Sequence, residues 1–181
     1  MDHGACSYRR FLDGDEGAFD EIMSTYFDHL VFFINRYVNN YHTAEDIAID
    51  VFSDLIVHRH RYNFKVTLKT YLFMIARSRA LNYIKRGKIL IISEIQESDF
   101  ASDGNELEEN ILNDDRKRRL HRALNELNEE MRCAIHLVYF EEMTYEEAAR
   151  AMKKTAKQID NLLYRAKKAL HIILERDGEL I

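Results

Sequence analysis

Proline and tryptophan are absent from this chain of 181 residues, and glycine occurs only 6 times. At average usage a chain of this length has roughly nine prolines and about thirteen glycines, so the residues that form most turns are scarce. This scarcity argues against a β-sandwich with many tight turns and favours long helices. Hydrophobic residues make up 46% of the chain, which excludes a wholly disordered protein.

Cysteine and long apolar runs are also scarce. The two cysteines, Cys6 and Cys133, are too few for a disulfide framework. We interpret both as reduced thiols, Cys133 as a small core residue and Cys6 as part of a mobile N-terminal segment. His3 and Cys6 do not form a metal-ligand spacing, so no metal or other cofactor is expected. No run approaches the roughly 18 apolar residues of a membrane helix, and the first residues lack an apolar signal-peptide core, so we expect a cytoplasmic protein without membrane insertion.

The formal net charge of −5 conceals an uneven distribution of charge along the chain. Residues 55–93 carry 9 basic and no acidic residues, whereas residues 94–115 carry 9 acidic and no basic ones. Residues 150–168 are again basic, with 7 basic residues and 1 acidic residue. Any one run is most simply a solvated helix face. Two runs of this length nevertheless indicate surfaces that bind nucleic acid, even in a chain whose net charge is negative.

The first half of the chain has the apolar spacing of amphipathic helices. The spacing over residues 19–37 predicts a helix that starts near Asp15 or Gly17. A second helix is predicted from about Thr43 to His58, with Thr43 as its N-cap and Asp46 in its first turn.

A third helix is predicted from about Thr67 to Arg86, and three such helices can enclose one core. The side chains that this helix should bury are Leu72, Ala76, Ala80 and Tyr83. The apolar run at 89–93 is a candidate strand, but without a partner strand it is more simply a segment that docks on a helical surface. The acidic, polar residues that follow it, up to about Asp114, are predicted to form a flexible linker.

The second half begins near Asp115 with a basic helix, followed by a helix that Asn128 caps. The side chains that the capped helix should bury are Met131, Ala134, Ile135 and Val138.

Two capping boxes then occur close together in the sequence. Thr144 and Glu147 form the first, ahead of a helix that ends near Met152, and Thr155 and Gln158 form the second. Two capped helices with a short turn between them predict a helix-turn-helix, whose second helix is the candidate recognition helix.

The candidate recognition helix has one apolar side and one polar side. Its apolar side consists of Ile159, Leu162, Leu163, Ala166, Ala169, Leu170 and Ile173. Its polar side consists of Lys157, Gln158, Asn161, Tyr164, Arg165 and Lys168. Since N-terminal residues of such a helix usually reach base edges, we assign Lys157, Gln158 and Asn161 to bases, and Arg165 and Lys168 to phosphates.

The third helix of the first half is predicted to have an exposed face, including the ring of Tyr71, that suits single-stranded nucleic acid. Tyr71 can stack on a base, small polar groups can bond a base edge, and cations can bind phosphates. The residues of this face are Tyr71, Met74, Ser78, Asn82 and Lys85, with Arg77, Arg79 and Arg86 as further phosphate contacts.

The second helix carries a row of carboxylates, Glu45, Asp46, Asp50 and Asp54. Asp46, Asp50 and Asp54 lie on one ridge and could together hold a divalent metal, in which case the chain would be a nuclease. The same carboxylates could instead pair with the Arg and Lys residues of a partner protein. Because no neighbouring His completes a metal site, we favour a basic protein surface.

These segments, in this order, resemble the extracytoplasmic-function (ECF) sigma factors of bacterial RNA polymerase, within the sigma-70 family. FLDGDEGAFDEIMSTYFDHLVFFINRYV and TAEDIAIDVFSDLIVHR are similar to the start of region 2 and to its segment that docks on the polymerase clamp helices. TYLFMIARSRALNYIKR is similar to the segment that reads and melts the −10 element. LNELNEEMRCAIHLVYFEEMTYEEAARAMKKTAKQIDNLLYRAKKAL resembles region 4, which reads the −35 element.

The resemblance implies an all-α fold of two small helical domains and a promoter-specificity subunit without catalytic residues or cofactors. Its domains would be region 2 at 1–90, a flexible acidic linker at 91–115 and region 4 at 116–181. Its partners would be promoter DNA, core RNA polymerase, through the clamp helices and the flap, and the anti-sigma factor that such proteins usually have. Carried over by position, Glu45, Asp46 and Asp50 fall in the clamp-docking segment.

The chain also departs from the family pattern at several positions. Tyr71 is found where the family usually has Trp, and Ser78 where Asn is frequent. Glu142 and Lys153 replace common glycines, and Asp160 replaces a frequent Lys, which lowers the positive charge of the recognition helix.

The main alternative is a free-standing helix-turn-helix regulator that never contacts polymerase. Such a protein would bind an operator tightly by itself, usually as a dimer. The first half of the chain has no heptad pattern for dimerisation, which counts against this alternative. The nuclease remains a second alternative.

Overall fold

The computed structural model describes residues 2–93 and 115–176, and every regular element in these ranges is helical. The chain divides into two compact units, Met1–Ser102 and Asp103–Ile181. The all-α fold with two helical domains that the sequence predicted is therefore confirmed. Most of the linker expected at 91–115 lies outside the described residues.

The first unit contains four helices, α1 (His3–Leu12), α2 (Gly17–Val38), α3 (Tyr41–Val57) and α4 (Leu68–Ser93). Helix α2 packs against each of the other three, and α4 also packs against α3 and α1. Large side chains with less than 2% exposure fill the space between them, namely Tyr8, Phe33, Phe73, Ile22, Leu30, Ile34, Leu68, Leu72, Val31 and Val51.

Helix α1 is an element that the sequence analysis missed, because we interpreted the N-terminal residues as mobile. Asp2 caps it, with Oδ1 accepting from the backbone N of Ala5 at 3.2 Å, while Oδ2 accepts from the backbone N of Leu68 at 2.9 Å. One carboxylate thus caps both α1 and α4, and one N-cap contributes about 1 kcal/mol. Cys6 lies in this helix with an exposed side chain, whereas Cys133 is buried as predicted.

The turn between α2 and α3 is formed by two consecutive asparagines. Asn39 adopts a left-handed conformation (φ 51°) at the end of α2, and the side chain of Asn40 accepts from the backbone N of Thr43 at 2.9 Å. The prediction that Thr43 caps α3 is therefore wrong. Asn40, three residues earlier, satisfies the free N–H groups, so α3 begins at Tyr41 and Asp46 lies beyond its first turn.

Helix α4 corrects two further expectations. Leu72, Ala76 and Ala80 are buried as predicted, but Tyr83 is 49% exposed. The helix continues to Ser93, so the apolar run at 89–93 is helical and is not a strand.

The second unit contains α5 (Asp115–Glu126), α6 (Glu129–Ile135), α7 (Tyr145–Met152) and α8 (Ala156–Arg176). Helix α6 continues into a π-helical turn, His136–Phe140, which leaves the expected core residue Val138 half-buried. Helix α8 packs against α5, α6 and α7. The other side chains expected to be buried in α6 are buried, namely Met131, Ala134 and Ile135.

The predicted capping groups of this unit are confirmed. Asn128 accepts from the backbone N of Met131 at 2.9 Å, and Thr144 and Glu147 form a complete capping box. Among the described residues of the second unit, two non-glycine residues have positive φ, Glu142 at 53° and Lys153 at 55°. They are the two positions at which the resemblance implies glycine, and the left-handed conformation disfavours a residue with a Cβ by about 1 kcal/mol.

Candidate protein and nucleic-acid interfaces

The four carboxylates predicted to bind polymerase lie on α3 with unequal exposure. Asp46 and Asp50 are exposed, and the Asp50 side chain is 66% accessible. Glu45 is half-buried and lies 3.5 Å from Nδ1 of His42. The Asp54 side chain is only 15% accessible. Asp46 and Asp50 are thus the most accessible part of the row.

Asp54 and Asp50 form ion pairs with basic side chains of the same unit. The Asp54 carboxylate lies 3.0 Å from Nδ1 of His58, 3.5 Å from Nη1 of Arg61 and 3.5 Å from Nη2 of Arg79. Arg79 Nη1 also lies 3.6 Å from Asp50. A predicted DNA-binding arginine is therefore paired with two of the predicted polymerase-binding carboxylates.

The predicted single-strand face of α4 is only partly exposed. Ser78, Asn82, Lys85 and Arg86 are exposed, and Tyr71, Met74, Arg77 and Arg79 are half-buried. The expectation of an exposed Tyr71 ring is therefore wrong. Tyr62, from the loop between α3 and α4, packs against it with the ring centroids 5.0 Å apart. Burial raises the pKa of the Tyr71 hydroxyl.

The loop between α3 and α4 extends this face with basic and aromatic residues that the sequence analysis did not assign. Its exposed basic residues are His58, Arg59, His60, Arg61 and Lys65. Phe64 has a positive φ of 60°, and its ring packs against Tyr62 and under the guanidinium of Arg9, 4.9 Å from the ring centroid. The repeated His-Arg pairs at 58–61 were the feature of the sequence that could have indicated this loop.

Helix α8 separates into the two sides that its spacing predicted. Ile159, Leu162, Leu163 and Ala166 are buried, and Ala169, Leu170 and Ile173 are half-buried. The six polar residues predicted to face DNA, Lys157, Gln158, Asn161, Tyr164, Arg165 and Lys168, are all exposed. One helix thus presents a continuous polar surface of the kind that enters a major groove.

Gln158 also has a structural role at the start of α8. Its Oε1 accepts from the backbone N of Thr155 at 2.8 Å, while its backbone N donates to Thr155 Oγ1 at 3.2 Å. The capping box predicted here is confirmed. One lone pair of the amide oxygen is therefore used by the cap, while both N–H donors of its NH₂ group remain available for a base edge.

Lys167 is a further cation of α8 that the sequence analysis did not assign. Its Nζ lies 5.3 Å from the centroid of the Tyr139 ring, and a hydrogen bond with the Tyr139 hydroxyl raises the pKa of Lys167. The pair fixes a positive charge next to the exposed ring of Tyr139 in the π-helical turn.

No group of three or more His, Cys, Asp or Glu side chains arranged to hold a metal occurs among the described residues. Over the same parts of the chain, no helix has the length and apolarity needed to cross a membrane.

Two family models match the two units. The model for sigma-70 region 2 matches residues 22–88, and the model for sigma-70 region 4 matches residues 117–170. The chain belongs to the ECF sigma factors of the sigma-70 family. It is a non-enzymatic initiation factor that binds core RNA polymerase and directs transcription from specific promoters. Because the region 2 match covers most of α2, all of α3 and most of α4, a free-standing regulator is not favoured.

Two similar proteins align with this sigma factor over most of its length. The ECF RNA polymerase sigma factor SigM of Bacillus subtilis is 26% identical over 159 residues, which cover 87% of this chain and 95% of SigM. The RNA polymerase sigma-H factor of Pseudomonas aeruginosa is 27% identical over 177 residues, which cover 92% of this chain and 91% of that protein.

Solved structures with the same fold include two protein complexes. The sigma factor RpoE of Bartonella quintana, solved with the anti-sigma factor NepR, matches with a TM-score of 0.68 and 20% identity over 87% of this chain and 96% of that chain. CnrH, solved with the cytosolic domain of CnrY, matches with a TM-score of 0.67 and 16% identity over 97% of this chain and 96% of that one.

Proposed function

We propose that the two units of this sigma factor read the two promoter elements separately. In this proposal region 2 comprises residues 1–90 and reads the −10 element, and region 4 comprises residues 116–181 and reads the −35 element. The observation that carries the proposal is the presence of one basic and polar helix face in each unit, on α4 and on α8.

The −10 interface is proposed to consist of the α4 face, namely Tyr71, Met74, Arg77, Ser78, Arg79, Asn82, Lys85 and Arg86. The Tyr71 ring stacks on a base of the opened strand, and the exposed polar groups further along α4 bond base edges. The basic loop that follows α3 binds phosphates beside it. Packing against Tyr62 supports this role, because a ring held in place loses less entropy when it stacks.

The −35 interface is proposed to consist of the exposed side of α8. Lys157 and Asn161 reach base edges near the helix N-terminus, with the NH₂ group of Gln158, while Tyr164, Arg165 and Lys168 contact the backbone. The turn between α7 and α8 supports this geometry because both of its ends are fixed, one by the left-handed C-cap Lys153 and the other by the capping box of Thr155 and Gln158.

Core polymerase is proposed to dock on α3 through Glu45, Asp46 and Asp50, with Asp54 at the edge of the site. Exposed carboxylates suit a basic partner surface such as the clamp helices, and such charges increase the association rate and fix the orientation of the complex. The flap of the polymerase is the proposed partner of the second unit.

An anti-sigma factor is proposed as a regulatory partner, since the sigma factor RpoE, which shares this fold, was solved in complex with the anti-sigma factor NepR. We also propose that the protein acts in the cytoplasm, where RNA polymerase and the chromosome are found.

Reconstituted transcription tests the whole proposal. Purified core polymerase is incubated with this protein and a library of promoter fragments, and transcripts are sequenced. The expected result is initiation at discrete sites that share two elements, one upstream of the other. Transcription that does not depend on the added protein would contradict the proposal, as would tight operator binding by the protein alone without any effect on polymerase.

A further inference from the structure

Asp54 is a carboxylate at which basic side chains from three parts of the first unit meet. It lies on α3, and its partners are His58 just after α3, Arg61 in the following loop and Arg79 on α4. Its side chain is 15% accessible, against 66% for Asp50 on the same helix. Asp54 is therefore surrounded by the basic groups of its own unit.

This setting does not suit a residue that binds a partner protein. A carboxylate that docks on a basic surface has to be accessible, and Asp54 would have to give up its present ion pairs to form new ones. Asp54 instead lies beside Arg79, a residue of the proposed −10 interface. Burial is the main cause of the raised pKa of the Tyr71 hydroxyl, and beside it the charge of Arg61 lowers this pKa and that of Asp54 raises it.

We propose that Asp54 is a positioning residue of the −10 interface, which holds Arg61 near Tyr71 and Arg79 further along α4 for contact with the DNA strand. The inference rests on the proposed function of the α4 face. It removes Asp54 from the polymerase-docking row and leaves docking to Glu45, Asp46 and Asp50.

The physical basis is the number of donors on a guanidinium group. Arginine has five N–H donors in a fixed plane, so a carboxylate that accepts one or two of them leaves the others for a phosphate. A free arginine side chain loses rotamer entropy when it binds, and one already held by Asp54 loses less. The other terminal nitrogen of Arg79, Nη1, lies 3.6 Å from the Asp50 carboxylate.

A double-mutant cycle in the holoenzyme tests this role. The variants are Asp54→Asn, Arg79→Gln and the double variant, assayed on a promoter selected by reconstituted transcription. Opening is measured by permanganate reactivity of unpaired thymines at saturating core polymerase, and affinity for core polymerase by fluorescence titration. We expect Asp54→Asn to reduce promoter opening roughly threefold to tenfold, while the affinity for core polymerase changes less than about twofold. In the double variant, Asp54→Asn should reduce opening little further than Arg79→Gln does alone.

Two further variants serve as controls. Asp54→Glu keeps the charge and should restore most of the opening, since its arginine partners are long and adaptable. Asp46→Asn on the same helix should show the reverse pattern, with weaker core binding and normal opening by the holoenzyme that forms. If Asp54→Asn prevents folding, as judged by circular dichroism, the cycle is repeated with Asp54→Ser.

The outcomes separate the inference from the proposed function. Normal opening by Asp54→Asn, with impaired opening by Arg79→Gln, would overturn the inference alone. So would a loss of core affinity as large as that of Asp46→Asn, or a loss of opening of equal size in both Arg79 backgrounds. Normal opening by Arg79→Gln and by Tyr71→Ala together would remove the α4 face from the −10 interface, and the inference would fail with it.

Discussion

The ring of Tyr71 lies on the ring of Tyr62, with their centroids 5.0 Å apart and their planes inclined by 38°. Tyr62 is itself buried, and its hydroxyl donates to the carbonyl of Val66 at 2.7 Å. The candidate stacking residue of α4 is therefore supported from below by the loop that precedes the helix. A base that stacks on Tyr71 would extend an existing column of rings.

This relationship predicts two separable effects of Tyr71→Ala. The variant should lose base stacking of about 1–3 kcal/mol, so the holoenzyme should bind duplex promoter but open it poorly. Because the ring is half-buried, the variant should also lower the free energy of unfolding moderately. Permanganate reactivity measures the first effect and denaturant unfolding the second.

Tyr71→Phe is the matched control, because stacking depends on the ring and not on the hydroxyl. It should open the promoter nearly as well as the wild type. A pre-melted bubble template should restore much of the activity of Tyr71→Ala. If Tyr71→Ala opened the duplex normally, the stacking role would be wrong.

Asp46→Lys should weaken binding to core polymerase without affecting the fold. The exposed carboxylate lies on the proposed docking face, and reversing an exposed charge at an interface changes affinity by roughly 1 kcal/mol, or about fivefold. Fluorescence titration with core polymerase measures the affinity. Asp20→Lys, an equal charge reversal on α2, should bind core normally, and equal losses by both variants would indicate an effect of net charge.

Asn161→Ala and Lys168→Ala should affect promoter choice in different ways. Loss of a base contact at Asn161 should relax the preference at one −35 position by about 1–3 kcal/mol. Loss of a phosphate contact at Lys168 should weaken all promoters alike and reduce the slope of log affinity against log salt by about 1. A promoter library and a salt titration distinguish the two, and an identical uniform loss would contradict our assignment of the two residues.

Two variants of Gln158 should distinguish its role in capping α8 from its role in contacting a base. Gln158→Ala removes the acceptor for the Thr155 N–H and should lower the free energy of unfolding by about 1 kcal/mol. Gln158→Glu keeps an acceptor at the helix N-terminus and should unfold like the wild type or at higher denaturant. If Gln158→Glu is stable yet loses −35 recognition, the NH₂ group contacts DNA, and normal recognition would reduce Gln158 to a capping residue.

Glu142→Gly should stabilise the second unit. Glu142 has a φ of 53°, which glycine adopts without steric strain, so relief of this strain should raise the free energy of unfolding by about 1 kcal/mol. The greater conformational entropy of glycine in the unfolded chain should offset part of this gain. Glu146→Gly, four residues later in the first turn of α7, should destabilise by about 1 kcal/mol because its backbone is helical. Thermal unfolding of the pair measures both, and a loss of stability in Glu142→Gly would show that its side chain has a further role.

The local features of the sequence predicted the second unit better than the first. Capping boxes at Thr144 and Thr155 act within four residues, so their residue types were enough to locate the start of each helix. In the first unit the deciding contacts are distant in sequence. Asp2 caps a helix that starts at Leu68, and the Tyr8 hydroxyl donates to the carbonyls of Leu55 and Arg59, contacts that have no local pattern.

The sequence alone determined the all-α class, the two modules, the amphipathic side of α8 and the family, because these depend on residue spacing and on motifs. Tertiary structure alone decided how charges and rings from different elements combine. It paired Arg79 with Asp54, packed Tyr62 under Tyr71 and gave the N-terminal residues a helical place in the core. The physical reason is that exposure and charge compensation depend on what the fold brings within a few ångströms, and periodicity along one helix does not contain that information.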